Sequence, residues 1–401
     1  MTIFFKLFCR LYQGAFKLSM PILPYKNPII FTNVKECVPL FQKLNAKRIL
    51  LVTDSFLRAS GITKPLEDFM KQNDIDCIVY DKTCPNPTVK NVEEAKQLYI
   101  ENNCQGIIAF GGGSSMDCAK ATGACMTYPN KTLEQMKGLL KVWKKLPPIV
   151  AIPTTAGTGS EVTVTAVITN PEQKHKYTMN NFTMIPPYAV LDPEVTYSLP
   201  PSLTATTGMD ALTHAVEAFI GNSTTKETRN LALDATKLVF ENIQIAYSDG
   251  KNQKARACML KAAYKAGLAF SKSYVGYIHA VAHSLGGQYN IPHGLANSVL
   301  MPIVLEKYGK CIHKKLKQLA VAAGIAMESD STEEAANNFI KAIRQMNKDM
   351  GIPEKLQGIK KEDIKIMAKH AAQEANPLYP VPKLMSAKQL EQFYYAVMEE
   401  K

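Results

Sequence analysis

The sequence lacks any run of the ~18 to 20 uninterrupted apolar residues that a membrane-spanning helix requires, which excludes an integral membrane protein. Its nine cysteines contain no CxxC pair, and an odd count in a chain of 401 residues argues against a disulfide scaffold; reduced thiols in a cytoplasmic compartment fit best. No internal repeat, low-complexity tract or long linker is present, so solenoids and arrays are excluded. With 46% hydrophobic and 20% charged residues, 22 Gly and 23 Pro, the composition is that of a globular protein and not of a disordered or collagenous one. The formal charge is +12, from 47 Lys and Arg against 35 Asp and Glu, but no aromatic-interleaved basic stripe or nucleic-acid module accompanies it. Lys141, Lys144, Lys145, Lys314, Lys315 and Lys317 are spread over helical segments, the pattern of a solvated basic surface.

The first 35 residues contain neither Asp nor Glu. Phe4, Leu7, Phe8, Leu11 and Tyr12 recur at helical spacing opposite Lys6, Arg10, Gln13 and Lys17, which predicts a basic amphipathic helix in an N-terminal extension over residues 1–24. Lys6 and Arg10 interrupt the apolar core that a secretory signal needs. A helix packed on its own chain or on a sister subunit, a transit peptide directing the protein to an organelle and a membrane-surface contact all remain open for this segment.

Between residues 48 and 192 short β-rich runs alternate with helical patterns. The runs 48–53, 77–80, 106–110 and 149–152 are dense in branched side chains and bounded by turn residues, and amphipathic stretches such as 91–102 and 115–128 lie between them. Continuous apolar strands separated by helices predict a parallel sheet covered on both faces, hence an α/β domain over 25–200. Beyond Pro201 the strand signal disappears, and helices are expected near 203–220, 226–246, 252–270 and 276–286, in an all-α domain over 201–401.

The clearest phosphate signal is Gly111-Gly-Gly-Ser-Ser-Met-Asp117, which follows a strand and opens a helix near Ser115. Glycines admit a ligand close to the backbone, and the helix dipole with its free N–H groups attracts a pyrophosphate. The stretch matches neither GxGxxG nor the lysine-containing phosphate loop, and a plain tight turn is the competing explanation. Asp54, at the end of the first strong strand, is placed either to accept hydrogen bonds from an adenosine ribose or merely to cap the helix starting at Ser55.

In the helical half, Asp210 and His214 are four residues apart, which puts a carboxylate and an imidazole on one helix face. His279 and His283 follow, then His293, so four of the seven histidines fall between 214 and 293. His279 is expected on a helix and His293 on the loop beyond Gly286-Gly287, both facing one point. One carboxylate with imidazoles suits Fe(II), Zn(II), Co(II) or Mn(II), and no thiolate is placed to select zinc. A phosphate-binding turn together with a metal that acidifies an alcohol suggests hydride transfer.

These motifs, with Ile152-Pro-Thr-Thr-Ala-Gly-Thr-Gly-Ser-Glu-Val-Thr163, Pro85-Asn-Pro-Thr88, Leu191-Asp-Pro193 and Pro292-His-Gly-x-Ala-Asn297 in order, resemble the iron-containing (group III) alcohol dehydrogenases from about residue 25 to the C-terminus. The resemblance implies a dehydroquinate synthase-like fold, with an N-terminal nucleotide-binding domain, a helical C-terminal domain, and Fe(II) or sometimes Zn(II) held by Asp210, His214, His279 and His293. It further implies a proton relay or orienting group at His283 and a substrate-pocket residue at Phe270. The cofactor, NAD in preference to NADP because of Asp54, would meet Asp54, Gly112, Gly113, Ser114, Asp117, Thr154, Thr155, Thr163 and Lys176. A small alcohol or aldehyde as substrate, a homo-oligomer and no nucleic acid partner complete the expectation; glycerol, glycerol-1-phosphate and dehydroquinate synthase types are the related alternative. Lys272, Tyr274 and Tyr277 depart from the family pattern: Lys272 could favour a carboxylated substrate and Tyr277 could narrow the pocket, or both could face solvent or a neighbouring helix.

Overall fold

The computed structural model describes residues 1–172 and 175–399, with the side chains of Pro21 and His175 left aside. The chain divides into two units, Pro24–Leu199 and Met1–Leu23 with Pro200–Lys401.

The elements of the first unit, preceded by α1 (Ile3–Ser19), are β1 (Ile29–Phe31), α2 (Cys37–Lys43), β2 (Arg48–Val52), α3 (Ser55–Ala59), α4 (Lys64–Gln72), β3 (Asp76–Tyr80), α5 (Val89–Glu101), β4 (Gly106–Gly111), α6 (Gly113–Thr127), β5 (Gly138–Leu139), β6 (Ile149–Pro153), β7 (Thr165–Asn170), β8 (His175–Asn180) and β9 (Tyr188–Val190). A six-stranded sheet runs in the order β1-β9-β6-β4-β2-β3, parallel at every junction. The middle strands are apolar on both sides because both sides are covered. Leu50, Val52, Ile107, Ala109, Ile149 and Ala151 pack with residues of α5 and α6, whereas Ile49, Leu51, Ile108, Phe110, Val150 and Ile152 pack with Phe41 of α2 and Leu66 and Met70 of α4.

The order of strands has a functional consequence. From β2 the chain moves outward to β3, then crosses back to β4 and continues through β6 to β9, so the connections diverge between β2 and β4. In open parallel sheets that switch point, at the carboxyl ends of the strands, is where ligands bind. A smaller sheet, β5-β8-β7, combines a parallel and an antiparallel pair.

The second unit is helical: α7 (Pro201–Ile220), α8 (Lys226–Ser248), α9 (Gln253–Ser273), α10 (Tyr277–Tyr289), α11 (His293–Tyr308), α12 (His313–Ala322), α13 (Thr332–Asp349), α14 (Lys361–Ala375) and α15 (Ala387–Val397). From Gly208 to Ile220 every residue of α7 is buried, the mark of a central helix. Gly208 makes this possible, since a Cβ there would lie 2.7 Å from Ile243 of α8 and 2.8 Å from Met259 of α9. The amphipathic helix α1 belongs to this unit rather than standing apart as an extension. Among the described residues no helix is long and apolar enough to cross a membrane.

Candidate active site

Asp210, His214, His279 and His293 each offer one ligand atom, and the four atoms lie within 4.8 Å of one another. One turn of α7 carries the first two, α10 the third, and His293 opens α11 rather than lying in a loop. Pro292 is the N-cap there, a position whose missing N–H the helix does not need, so the helix starts earlier than the glycines upstream suggest. Nε2 of His279 lies 3.8 Å, and Nε2 of His293 3.5 Å, from Oδ1 of Asp210.

The donors fit a divalent cation. Asp210 and His279 are buried, and among the described residues Nε2 of His279 has no hydrogen-bond partner. A buried polar atom left so costs about 1 to 3 kcal/mol, which an ion would remove. Burial first, then the neighbouring imidazoles of His214, His293 and His283, holds the His279 pKa well below its usual value, so its lone pair is available.

Three residues that the sequence reading passed over or left without a role orient these donors and the neighbouring His283. The Glu217 carboxylate accepts from the backbone N–H of Gly276 and of Ile278, both at 2.8 Å, and meets Nδ1 of His279 at 2.6 Å. Burial pushes the Glu217 carboxyl up to about 7, against the pull of those donors. Asn297, one turn after His293 on α11, donates from Nδ2 to Oδ1 of Asp210 at 2.7 Å and lies 3.1 Å from Nε2 of His293. Glu374 on α14 meets Nδ1 of His283 at 2.6 Å and accepts from the Tyr379 hydroxyl at 2.7 Å. Burial alone would raise the Glu374 carboxyl, but His283 and Tyr379 hold it below its usual value. Phe270 stacks on His214, with ring centroids 4.1 Å apart, and the His283 ring stacks on His293 at 5.1 Å.

In the other unit, Asp54 and the glycine turn occupy the carboxyl ends of β2 and β4, at the switch point of the sheet. Asp54 caps α3, accepting from Leu57 N–H through Oδ1 at 2.9 Å. Gly111 has φ +153°, and a Cβ there would fall 2.5 Å from the Ser115 hydroxyl. Helix α6 begins at Gly113, two residues before the expected start, because Gly112 serves as its N-cap. Among the described residues no side-chain hydrogen bond caps that end. Thr155 borders Gly112, with Oγ1 3.5 Å from where a Cβ would be. Thr154 and Thr163 are buried, and Lys176 donates from Nζ to Asn86 Oδ1 at 2.9 Å.

Asp117 does not present a free carboxylate to a ligand: Oδ1 accepts from the Ser160 hydroxyl at 2.8 Å and Oδ2 from Val167 N–H at 3.0 Å. It fastens α6 to the 160–167 segment. Lys120, which the sequence reading missed, completes the fastening from one turn further on. Its fully buried ammonium donates to Ser160 Oγ at 2.9 Å, Thr163 O at 3.1 Å and Thr165 O at 3.0 Å. Burial lowers the Lys120 pKa to about 8.

Residues 28–193 match the iron-containing alcohol dehydrogenase family, and residues 204–398 match the C-terminal part of the Fe-containing alcohol dehydrogenase family. Alcohol dehydrogenase 4 of Saccharomyces cerevisiae (strain ATCC 204508 / S288c) is 38% identical over 356 residues, which cover 88% of this chain and 92% of that protein. The chain belongs to the iron-containing alcohol dehydrogenase family. Among solved structures, a 1,3-propanediol oxidoreductase superposes with a TM-score of 0.89 at 35% identity, covering 94% of this chain and 100% of that one. A sulfoacetaldehyde reductase from Bifidobacterium kashiwanohense, solved in complex with NAD+, gives a TM-score of 0.83 at 28% identity, covering 94% of this chain and 99% of that one. The protein is therefore an alcohol oxidoreductase of this family.

The three residues that depart from the family pattern have structural roles. Lys272 pairs across α8 and α9 with Glu227, Nζ to Oε1 2.7 Å, and so is engaged by a helix neighbour rather than held for a carboxylated substrate. Tyr277 does not narrow a pocket. Its ring is fully buried, and its hydroxyl donates to Asn376 or Met385 O while accepting from Met385 N–H at 2.8 Å. Tyr274 ends α9 at φ +60° with its ring edge on Phe16 of α1, at 4.8 Å.

Proposed function

We propose that this member of the iron-containing alcohol dehydrogenase family interconverts a primary or short-chain alcohol, diol or hydroxy acid with its aldehyde or ketone, using NAD and a divalent metal, Fe(II) or Zn(II). The carrying observation is the convergence of one carboxylate and three imidazoles within 4.8 Å, inside a helical core that supplies each with an orienting neighbour. A cation held by Asp210, His214, His279 and His293 supplies Lewis acidity that brings the pKa of an alcohol hydroxyl toward neutrality.

The chain's own residues do the rest. Glu217 keeps a proton on Nδ1 of His279, which leaves the Nε2 lone pair available to a cation that the four donors would hold. Asn297 sets the Asp210 carboxylate, and the Phe270 ring fixes the plane of His214 and offers an apolar surface to substrate. His283, oriented by Glu374, is the group we assign to carry the hydroxyl proton away; NAD, when bound, would supply the hydride acceptor. Gly112, Gly113 and Ser114 at the N-terminus of α6 would hold the pyrophosphate of NAD, Asp54 would accept from a ribose hydroxyl, and Lys176 would meet the nicotinamide ribose. Thr154, Thr155 and Thr163 line the same turn, and Asp54 opposes the 2′-phosphate of NADP. The related sulfoacetaldehyde reductase complex with NAD+ supports this choice of cofactor.

Elemental analysis of anaerobically purified protein, followed by absorbance at the reduced-nicotinamide band over a panel of alcohols and aldehydes, tests the reading. We expect about one divalent ion per chain, and loss of both ion and turnover in a folded His279→Ala variant. Full activity of metal-free protein would overturn it.

A further inference from the structure

We propose that Tyr379 and Gln13 of α1 are positioning residues for His283, acting through the Glu374 carboxylate; the proposal rests on the proton-carrying role proposed for His283. One carboxylate oxygen makes the connection. Oε1 of Glu374 meets Nδ1 of His283 at 2.6 Å and accepts from the Tyr379 hydroxyl at 2.7 Å, so the phenol holds the very atom that orients the imidazole. Burial, then the charge of Glu374, keeps the Tyr379 phenol protonated and therefore a donor. With Nδ1 engaged by the carboxylate, a proton arriving from substrate is taken on Nε2 of His283. A Glu374 side chain without that second contact could turn and carry the ring out of alignment.

Tyr379 is not placed by a helix or strand of its own. It lies between α14, which ends at Ala375, and α15, which begins at Ala387, in a segment that is neither. The first helix of the chain holds it instead. Gln13 donates from Nε2 to Tyr379 O at 2.8 Å and to Pro377 O at 3.1 Å. Arg10 donates from Nη1 to Val381 O at 2.7 Å and from Nη2 to Pro382 O at 2.9 Å. One turn beyond Gln13, the Phe16 ring meets Tyr274 at 4.8 Å, and Tyr274 in turn lies 6.2 Å from the ring of Tyr379.

α1 therefore reaches Tyr379 through its backbone and through its ring. Gln13 is 3% and Tyr379 8% exposed, so little water competes for the amide or the carbonyl. The Ser223 hydroxyl donates to Gln13 O at 3.2 Å, which ties this turn of α1 to the chain just beyond α7. A helix that only filled space would need no such series of polar contacts ending on the partner of an active-site histidine.

The experiment follows pre-steady-state reduction of the nicotinamide by the metal-loaded full chain at saturating NAD and a primary alcohol, so that product release does not mask the step. Tyr379→Phe, Gln13→Met, the two combined and His283→Ala are compared with wild type. Each positioning variant is expected to slow reduction by about 10- to 100-fold with metal content and alcohol KM at wild-type values. Added imidazole is expected to restore much of the rate, because the His283 side chain is 41% exposed and a base from solution can take the proton in its place. The combination is expected to be no slower than Tyr379→Phe alone, since Gln13 acts through that residue. Without substrate, amide exchange over residues 376–386 should be faster in Gln13→Met. Wild-type rates in Tyr379→Phe beside a slow His283→Ala overturn the proposal and leave the role of His283 standing. Wild-type rates in His283→Ala remove that role and the proposal with it. Slow variants that imidazole does not restore, or losses from Gln13→Met and Tyr379→Phe that multiply in the combination, also overturn it.

Discussion

Replacing Glu217 by glutamine isolates the orientation of the metal site from its donors. The carboxylate serves three N–H groups: Oε2 accepts from Gly276 and His279, and Oε1 accepts from Ile278. Glutamine keeps the shape but has one acceptor oxygen and one NH2. With its oxygen at the Oε2 position, the NH2 faces the Ile278 N–H; with the amide reversed, it faces two donors. The better arrangement still strands one buried donor, at about 1 to 3 kcal/mol of fold stability, and removes the charge that holds the proton on Nδ1 of His279. Loss of such a partner weakens metal binding by about 10- to 100-fold. Competition with a chelator gives the metal affinity, and thermal unfolding of the metal-free protein gives the stability. Glu217→Gln with both values at wild-type level would refute the reasoning, since His279 would then need no carboxylate to set its tautomer.

Two further perturbations probe each unit separately. Burial pushes the Glu161 carboxyl from 4.5 to about 7, so the folded chain holds a proton there that the unfolded chain releases, and stability falls as pH rises through that window by at most about 3 kcal/mol. Thermal unfolding between about pH 5 and about pH 7.5 should show Glu161→Gln gaining on wild type as pH rises, and parallel profiles would remove the argument. A Cβ at Gly294 would fall 2.5 Å from the backbone oxygen of Thr206, so Gly294→Ala must part the start of α11 from α7 and carry His293 away from Asp210. We expect about 1 to 3 kcal/mol of destabilisation and weaker metal retention, measured by the same unfolding and chelator assays; wild-type values in both would show that the helix contact is not what sets the site.

The sheet is legible in the sequence where burial is two-sided. The runs beginning near 48, 77, 106 and 149 are apolar throughout, and they become β2, β3, β4 and β6 within a residue or so at each end. The strands β1 and β9 have three residues each and are too short to show a period. For α1 the helix was readable but its rotation was not. Amphipathicity alone puts Phe4, Leu7 and Leu11 inward, and only the carbonyls of 377–382, far along the chain, reverse it by engaging Arg10 and Gln13.

The site was legible to the extent that spacing encodes it. Asp210 and His214 share a face of α7, and the same face continues to Glu217, seven residues after Asp210; the signal was present and lay unread because a glutamate in a helix is usually solvated. Lys120, one turn after Asp117 in the apolar stretch of α6, carries the same kind of sign. Spacing fails for Lys272 and Tyr277, whose side chains are directed by Glu227 and by Asn376 and Met385. The physical difference is the surroundings. In a helix buried as completely as α7, a polar side chain persists only with a partner, so each one has to be accounted for. Glu217 is matched by three donors and Asp210 by Asn297, whereas Nε2 of His279, within the tetrad, has no hydrogen-bond partner among the described residues. That unmet demand, more than the count of histidines, is the reason to expect a cation there.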